Sequence, residues 1–214
     1  MTNYQTPTAE TYMGLERAFD FFNARLFQNR LPPVMFTMTR KKGAHGCFWA
    51  EQFAHRDEGL GKTHEIALNP ETMSRTLEAV LSTLVHEMTH LEQHEEGTPG
   101  KGGNHNKEWA GLMRRVGLIP SDTGLPGGKE TGRKVTHYID EEGGFFQACL
   151  ELKDTGFDIH YFTAPKMPTE KKKDLSKVKH TCPCCGFKAW AKQGANLVCG
   201  DCDERLVSEL GDAD

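Results

Sequence analysis

The sequence lacks the long hydrophobic stretch that an integral membrane protein needs. No apolar run in the 214 residues approaches the roughly 18 residues that span a bilayer. The first residues, Met1 to Gln5, have neither the basic segment nor the apolar segment of a secretory signal. We therefore expect the protein in the cytoplasm, where it would also associate with the nucleoid if it binds DNA.

A phosphate-binding loop is also missing. The glycine-rich stretch from Ser121 to Gly132 contains Gly127-Gly128-Lys129-Glu130. It has neither the first glycine at P-loop spacing nor the Ser or Thr that follows the lysine in such loops. The sequence therefore gives no sign of a nucleotide cradle, and it contains no internal repeat.

The seven cysteines do not form the set that a secreted, disulfide-bonded protein would have. Their number is odd, and five of them fall within the last 33 residues: Cys182, Cys184, Cys185, Cys199 and Cys202. Metal binding in a reducing compartment explains this clustering better than disulfides do.

Two C-x-x-C pairs in this cluster, separated by thirteen residues, are typical of a zinc ribbon. We predict that Cys182, Cys185, Cys199 and Cys202 hold a structural Zn²⁺, with Cys184 as a spare thiol. Such an ion replaces the core that a module of about 30 residues is too small to build. The alternative is a thiol redox pair.

The segment from about Ser74 to Gln93 has the apolar spacing of an amphipathic helix. It contains His86-Glu87-Met88-Thr89-His90, an H-E-x-x-H motif. Residues four apart project from the same helix face, so both histidines can bind one Zn²⁺, and Glu87 can reach a water on it. The alternative is a chance match on a surface helix, in a chain with ten histidines.

A catalytic zinc site of this kind needs a third ligand. On one straight helix His94 would lie about 12 Å from His86, which is too far for a shared ion, and Glu95 and Glu96 have the same difficulty. His105 follows a glycine-rich loop that can bring it back over the metal. We predict His105 as the ligand, and the alternative is an exposed histidine at a helix start.

Further elements follow from local patterns, and together they predict an α+β fold. Helices are predicted from Pro7 to about Leu26, after the capping residue Thr6, and from Lys107 to Val116. The predicted strands are Val34–Thr39, a run around Cys47–Trp49, Glu65–Asn69, Val135–Asp140 and Phe145–Leu152. The first two would pair as a hairpin. The last two are separated by a hairpin turn at Glu141–Gly144.

Charge is unevenly distributed along the chain. Residues 1–165 carry 17 basic and 22 acidic side chains, whereas residues 166–205 carry nine and five. The basic excess suggests contact with a polyanion, and the alternative is a solvated lysine-rich linker. The candidate nucleic-acid contacts are Lys171, Lys172, Lys173, Lys177, Lys179, Lys188 and Trp190. Phe187 and Trp190 would either stack on unpaired bases or pack inside the ribbon.

The order of these motifs resembles the SprT-like metalloprotease family, which includes the Spartan DNA-protein crosslink proteases. The resemblance covers about residues 12 to 203. It rests on Phe21 to Phe27, Leu31-Pro32, Glu65 to Pro70, His86 to His90, His105 to Trp109 and the four-cysteine module. The H-E-x-x-H alone is common among zinc peptidases, whereas His105 with Trp109, and the ribbon, make the match specific. The compact chain is most similar to bacterial or phage members and lacks the metzincin pattern.

The resemblance implies a zincin-like protease domain at residues 1–163, a basic linker at 164–179 and a zinc ribbon at 180–207. It also implies zinc on His86, His90 and His105, with Glu87 as general base. The expected function is a zinc endopeptidase that cleaves DNA-bound or DNA-crosslinked proteins through a zinc-activated water. The expected cofactors are one catalytic and one structural Zn²⁺, and the expected partners are DNA and proteins on it.

Two further features of the sequence are candidates for a role in this chemistry. His137 and Tyr138 are conceivable donors to an oxyanion, although ordinary strand residues are the alternative. An edge strand around Gly46 to Trp49 would hold a substrate backbone as an added strand. The rival function is a nucleic-acid-binding accessory protein whose histidine site is structural or inactive. An intact Glu87 favours the enzyme.

Overall fold

The computed structural model describes residues 6–165 and 177–209, and the chain forms two compact units, Met1–Ala164 and Pro165–Asp214. The first unit mixes helices with small sheets. Its elements in chain order are α1 (Pro7–Leu26), β1 (Val34–Met38), β2 (Gly46–Ala54), β3 (Lys62–Leu68), α2 (Leu77–Glu96), α3 (Lys107–Val116), β4 (Leu118–Ser121), β5 (Thr136–Ile139) and α4 (Gly144–Asp154).

Helix α2 runs through the centre of the first unit. Its N-cap is Thr76, whose side chain accepts a hydrogen bond from the Ala79 N–H, and it extends three residues further than predicted, to Glu96. The apolar positions Val80, Leu81, Leu84, Val85, Met88 and Leu91 are all buried. None of the helices in the described ranges has the length and hydrophobicity that a bilayer crossing requires.

Helices α1 and α3 were predicted correctly, including the cap at Thr6. The Thr6 hydroxyl accepts from the Ala9 N–H, and Pro7 occupies the first helical position, where its missing N–H costs nothing. Phe22 of α1 stacks on Phe145 of α4 with ring centroids 5.6 Å apart. The helices therefore share one core with α2.

The predicted hairpin between the first two strands is wrong. The sheet has the order β1-β3-β2, with β1 parallel and β2 antiparallel to β3. The end of β3, Ile66 to Leu68, is buried, as suits the strand at the centre of the sheet. Strand β2 consequently lies at an edge of the sheet, beside α2.

The segment Phe145–Leu152 was predicted as a strand, but it is part of helix α4. Its buried residues Phe145, Ala148, Cys149 and Leu152 recur at intervals of three and four, which is the helical period. The predicted hairpin turn is instead the start of this helix. Gly143 caps it and lies so close to Gly117 that a Cβ there would be 2.7 Å from the Gly117 Cα.

Strand β4 was not predicted. It follows α3 directly and contains Pro120, a residue that argues against a strand interior. It pairs antiparallel with β5 in a two-stranded sheet, so Pro120 lies opposite His137. This pairing fixes the position of His137.

The second unit is a small antiparallel sheet of order β7-β6-β8. Its strands are β6 (Val178–Thr181), β7 (Lys188–Ala191) and β8 (Val207–Ser208). The buried residues of this unit that form a hydrophobic cluster are Cys182, Cys199 and Leu206. An interior of this size is consistent with a zinc ribbon that depends on its metal.

Candidate active site

Helix α2 presents His86 and His90 side by side, as their spacing predicts. The two ring centroids are 5.1 Å apart. His86, Glu87 and His90 line a cleft of about 1060 Å³ on the side of the helix away from α1 and α4. The same helix thus contributes its apolar stripe to the core and its polar positions to the cleft.

His105 reaches this place from the start of α3. Its main chain exchanges two hydrogen bonds with Gly132, with N···O distances of 2.9 Å in both directions. The ring Nδ1 lies 3.0 Å from the Gly132 carbonyl oxygen, so Nδ1–H donates to that oxygen. This contact leaves the Nε2 lone pair of His105 free, and Nε2 lies 3.1 Å from Nε2 of His90.

Helix α3 begins two residues after His105 and is fixed to α2 by a polar contact. The Asn106 side chain caps α3 by accepting from the Trp109 N–H at 2.9 Å. The same oxygen accepts from the Gln93 amide of α2 at 2.8 Å. These bonds set the distance between the helix that carries two of the histidines and the one that follows the third.

The three histidines fit a tetrahedral metal. One ring nitrogen from each lies within 4.8 Å of the others. Two nitrogens bound to the same tetrahedral Zn²⁺ are about 3.3 Å apart, from Zn–N bonds of about 2.0–2.1 Å, and the His90–His105 separation of 3.1 Å is close to that. The carbonyl that orients His105 is the kind of partner that metal-binding histidines commonly have.

Burial keeps these rings in the neutral form that binds metals. It lowers the pKa of His90 to about 3, lowers that of His86 well below its ordinary value, and lowers that of His105 to a smaller extent. Neighbouring histidines add to the effect for His86 and His90. A neutral imidazole offers a lone pair, whereas an imidazolium offers none.

Trp109 forms the floor of the site. Its fully buried indole is stacked on His90 with centroids 5.1 Å apart, and it lies 4.2 Å from the His105 ring and 5.0 Å from the His86 ring. The sequence singled out Trp109 only as one of the residues that carry the family resemblance. Its contact with all three histidines depends on how α3 packs against α2.

Glu87 is buried beside the first histidine, with 5 % of its surface exposed. Burial raises the pKa of its carboxyl group to about 8, and Lys41 acts weakly in the opposite direction. A cation nearby would favour the carboxylate. The room for this side chain comes from Gly46 of β2, where a Cβ would lie 2.8 Å from Glu87 Oε1.

One of the two conceivable donors on β5 reaches the cleft. His137 lines it, with Nδ1 3.1 Å from Nδ1 of His86. Burial lowers the pKa of His137 to about 4, and Arg75 and His45 add to the shift. Tyr138, the next residue, points to the opposite face of the strand.

His94 belongs to a different group of side chains, together with His64 of β3 and Glu95. His64 and Glu95 of this group are joined by a hydrogen bond, and His94 contacts the His64 ring. His64 Nδ1 accepts from the Glu51 N–H at 3.1 Å, so the ring proton is on Nε2, which lies 3.2 Å from the Glu95 carboxylate. A metal at Nε2 would have to displace that proton.

The second unit brings together the four cysteines predicted as ligands. One sulfur from each of Cys182, Cys185, Cys199 and Cys202 lies within 4.8 Å of the others, and the sulfurs of Cys185 and Cys199 are 3.6 Å apart. Zn–S bonds of about 2.3 Å give S···S distances of about 3.8 Å in a tetrahedral site. Backbone N–H groups of Cys185 and Cys184 lower the pKa of the Cys182 thiol to about 7, which favours the thiolate.

The predicted nucleic-acid contacts are only partly within the described residues, since Lys171, Lys172 and Lys173 lie outside them. Lys179 is opposite Trp190 in the β6–β7 register, and Lys188 precedes Trp190 by two positions, so the three share one sheet face. Trp190 is 62 % exposed and does not fill the ribbon interior. Phe187 is also exposed. Lys177 is exposed just before β6, and Lys179 pairs with Glu209.

Comparison with known proteins places the first unit in a family. The model of the SprT-like family matches residues 15–130. A curated relative, an uncharacterized protein in the mucB 3' region of Salmonella typhimurium, is 47% identical over 53 residues, which are 25% of this chain and 72% of that protein. No solved structure matches the chain.

Proposed function

Because this chain belongs to the SprT-like family, we propose that its first unit is a zincin-like, zinc-dependent endopeptidase that cleaves proteins bound or crosslinked to DNA. One observation supports the proposal most strongly. Donor nitrogens of three histidines lie within 4.8 Å of one another in a large cleft, beside a buried glutamate. A purely structural metal site has no use for such a base.

His86, His90 and His105 would hold the catalytic ion. Three neutral ligands leave its positive charge uncompensated and one coordination position open. Zn²⁺ bound there supplies Lewis acidity, which activates water and polarises the scissile carbonyl group. Cys182, Cys185, Cys199 and Cys202 would hold a second, structural ion whose coordination is closed.

Glu87 acts as the general base in this proposal. It takes a proton from the attacking water and returns it to the leaving amine. Its Oε1 faces Gly46, so the edge strand and the carboxylate meet at the same point of the cleft. Trp109 and the Gly132 carbonyl hold the histidine rings while this proton moves.

The substrate backbone would bind along strand β2. Residues Gly46 to Ala50 line the cleft, and β2 pairs with β3 on its other side. Its outer N–H and C=O groups can therefore pair with an extended peptide. Because such pairing uses the main chain, the cleavage would be tolerant of sequence, as suits a protease for varied DNA-bound proteins.

DNA would bind to the exposed face of the ribbon that carries Lys179, Lys188 and Trp190. The exposed indole can stack on an unpaired base while Lys188, on the same face, contacts a phosphate, and Lys179 would do so by exchanging its pairing with Glu209. These side chains favour single-stranded DNA. The same face supports the second candidate, a nucleic-acid-binding accessory protein without peptidase activity.

The test is cleavage of a purified DNA-binding protein by the full chain, with and without single-stranded DNA. We expect cleavage that DNA stimulates, that a chelator stops and that added Zn²⁺ restores. A Trp190→Ala, Lys188→Ala variant should lose the stimulation and keep the basal rate. DNA binding without any cleavage would reject the protease and favour the accessory protein.

A further inference from the structure

His137 lies in the cleft for a reason that is independent of the H-E-x-x-H motif. It is carried by β5, which the pairing with β4 places next to α2. Its Nδ1 is 3.1 Å from Nδ1 of His86, with the two rings inclined at 42°. The contact is therefore a hydrogen bond between edge nitrogens, not a stack of ring faces.

The direction of this hydrogen bond follows from counting protons. A neutral imidazole has one N–H and one lone pair. If His86 gives the lone pair of Nε2 to a metal, its proton must be on Nδ1. The His86 Nδ1–H then donates to Nδ1 of His137, which must be an unprotonated acceptor.

The same count fixes the proton of His137. With Nδ1 as acceptor, the neutral ring carries its proton on Nε2. Within the described part of the chain, Nε2 of His137 has no hydrogen-bond partner. It is also absent from the set of fully buried polar atoms without a partner, so solvent reaches it. It is therefore an accessible N–H donor in a residue that lines the cleft.

We propose that His137 has two linked roles: it holds His86 in the tautomer that binds metal through Nε2, and it directs its own Nε2–H at the substrate. This role rests on the proposed function. As the water adds to the scissile carbonyl group, the carbonyl oxygen becomes negative, and the His137 N–H donates to it. The Nδ1 contact makes His137 a positioning residue, and the Nε2 contact makes it a catalytic one.

A role as a fourth metal ligand fits less well. His137 is not a member of the group whose donor nitrogens all lie within 4.8 Å of one another. Two ligands of one Zn²⁺ cannot be more than about 4.2 Å apart, because each bond is about 2.1 Å long. The contact with His86 Nδ1 thus orients a ligand and leaves the open position free.

Two substitutions separate the roles. His137→Asn keeps an amide oxygen near the position of Nδ1, so it can accept from His86, but it has no group at the position of Nε2. His137→Phe keeps a ring and removes both nitrogens. Tyr138→Phe is the matched control, because it removes a donor from the opposite face of the same strand.

The first readout is zinc affinity of the full chain, by competition with a chelator, with the four-cysteine site as internal reference. His137→Phe should weaken the histidine site by about 10–100-fold, the usual effect of losing a partner that orients a ligand. His137→Asn and Tyr138→Phe should bind zinc as the wild type does. Wild-type affinity in the Phe variant would overturn the positioning role.

The second readout is turnover of zinc-saturated protein. Both His137 variants should lower kcat by about 10²-fold or more with little change in KM, because the donor acts in the transition state. Wild-type kcat in His137→Asn would overturn the donor role. If the wild type cleaves nothing, the proposed function fails, and the zinc affinities alone still decide the positioning role.

Discussion

The contact between Gly46 and Glu87 gives a quantitative prediction about how the cleft is built. A Cβ at position 46 would lie 2.8 Å from Glu87 Oε1, 3.0 Å from Glu87 Cγ and 3.0 Å from Thr83 Cγ2. Gly46→Ala therefore forces Glu87 out of its place. Overpacking of this kind lowers the free energy of unfolding by about 1–3 kcal/mol. Alanine also restricts the unfolded chain, which offsets about 0.4–1 kcal/mol of that loss.

The destabilisation caused by Gly46→Ala should depend on whether the Glu87 side chain is present. In a Glu87→Ala background both of the Glu87 contacts are absent and only Thr83 Cγ2 remains. We expect Gly46→Ala to be at least about 1 kcal/mol less costly there, which is within the usual coupling of residues in contact. Urea unfolding of zinc-saturated protein gives the four free energies of this cycle.

Peptidase activity gives a second measure of how closely position 46 approaches Glu87. A displaced carboxylate should lower kcat of Gly46→Ala by about 10²-fold while the histidine site keeps its zinc. Gly14→Ala is the control, since a Cβ there would meet nothing within 4 Å. An equal cost of Gly46→Ala with and without the Glu87 side chain would refute the steric coupling.

Of three further predictions, two concern the candidate metal sites and one concerns the ion pair between Glu78 of α2 and Lys153 of α4. Trp109→Leu should cost up to the roughly 3–5 kcal/mol typical of truncating a buried tryptophan, and should weaken zinc binding at the histidines; unchanged affinity in chelator competition would contradict its role as their floor. Cys185→Ser should release one zinc per chain and Cys184→Ser none, as measured by metal analysis; equal release would contradict the assignment of the spare thiol. Lys153 lowers the pKa of Glu78 by a hydrogen bond, so the stability of this pair is present above the unfolded pKa of about 4.3 and is lost as pH falls through the lower folded value. Lys153→Ala should therefore destabilise the protein at neutral pH and make no difference near pH 2. Urea unfolding of the wild type and the variant at the two pH values measures this, and an equal difference in unfolding free energy at both would contradict it.

The parts of the site that local sequence could predict are those that depend on one element. His86, Glu87 and His90 are on a helix whose apolar period is visible in the sequence, and the glycine loop before His105 indicated that the chain turns back. The cysteine pairs are equally local. In the structure, one donor atom from each residue of a predicted set lies within 4.8 Å of the donor atoms of the others.

What the sequence could not predict depends on contacts between distant segments. His137 reaches His86 only because β5 pairs with a strand that begins at Leu118 and contains a proline. Trp109 touches the histidines because α3 packs on α2. The apolar run from Phe145 to Leu152 suits a strand by composition, and only its packing, such as that of Phe145 against Phe22, shows that the residues at helical spacing are the buried ones.

The most direct test of the central claim compares the wild type with Glu87→Gln in cleavage of a DNA-binding protein, with zinc content measured on the same samples. Glutamine keeps the shape of the side chain and removes the base. We expect equal zinc content in both proteins, equal binding to DNA, and cleavage by the wild type alone. Cleavage by Glu87→Gln at the wild-type rate would contradict the role of Glu87 as general base, and cleavage by neither would contradict the peptidase itself.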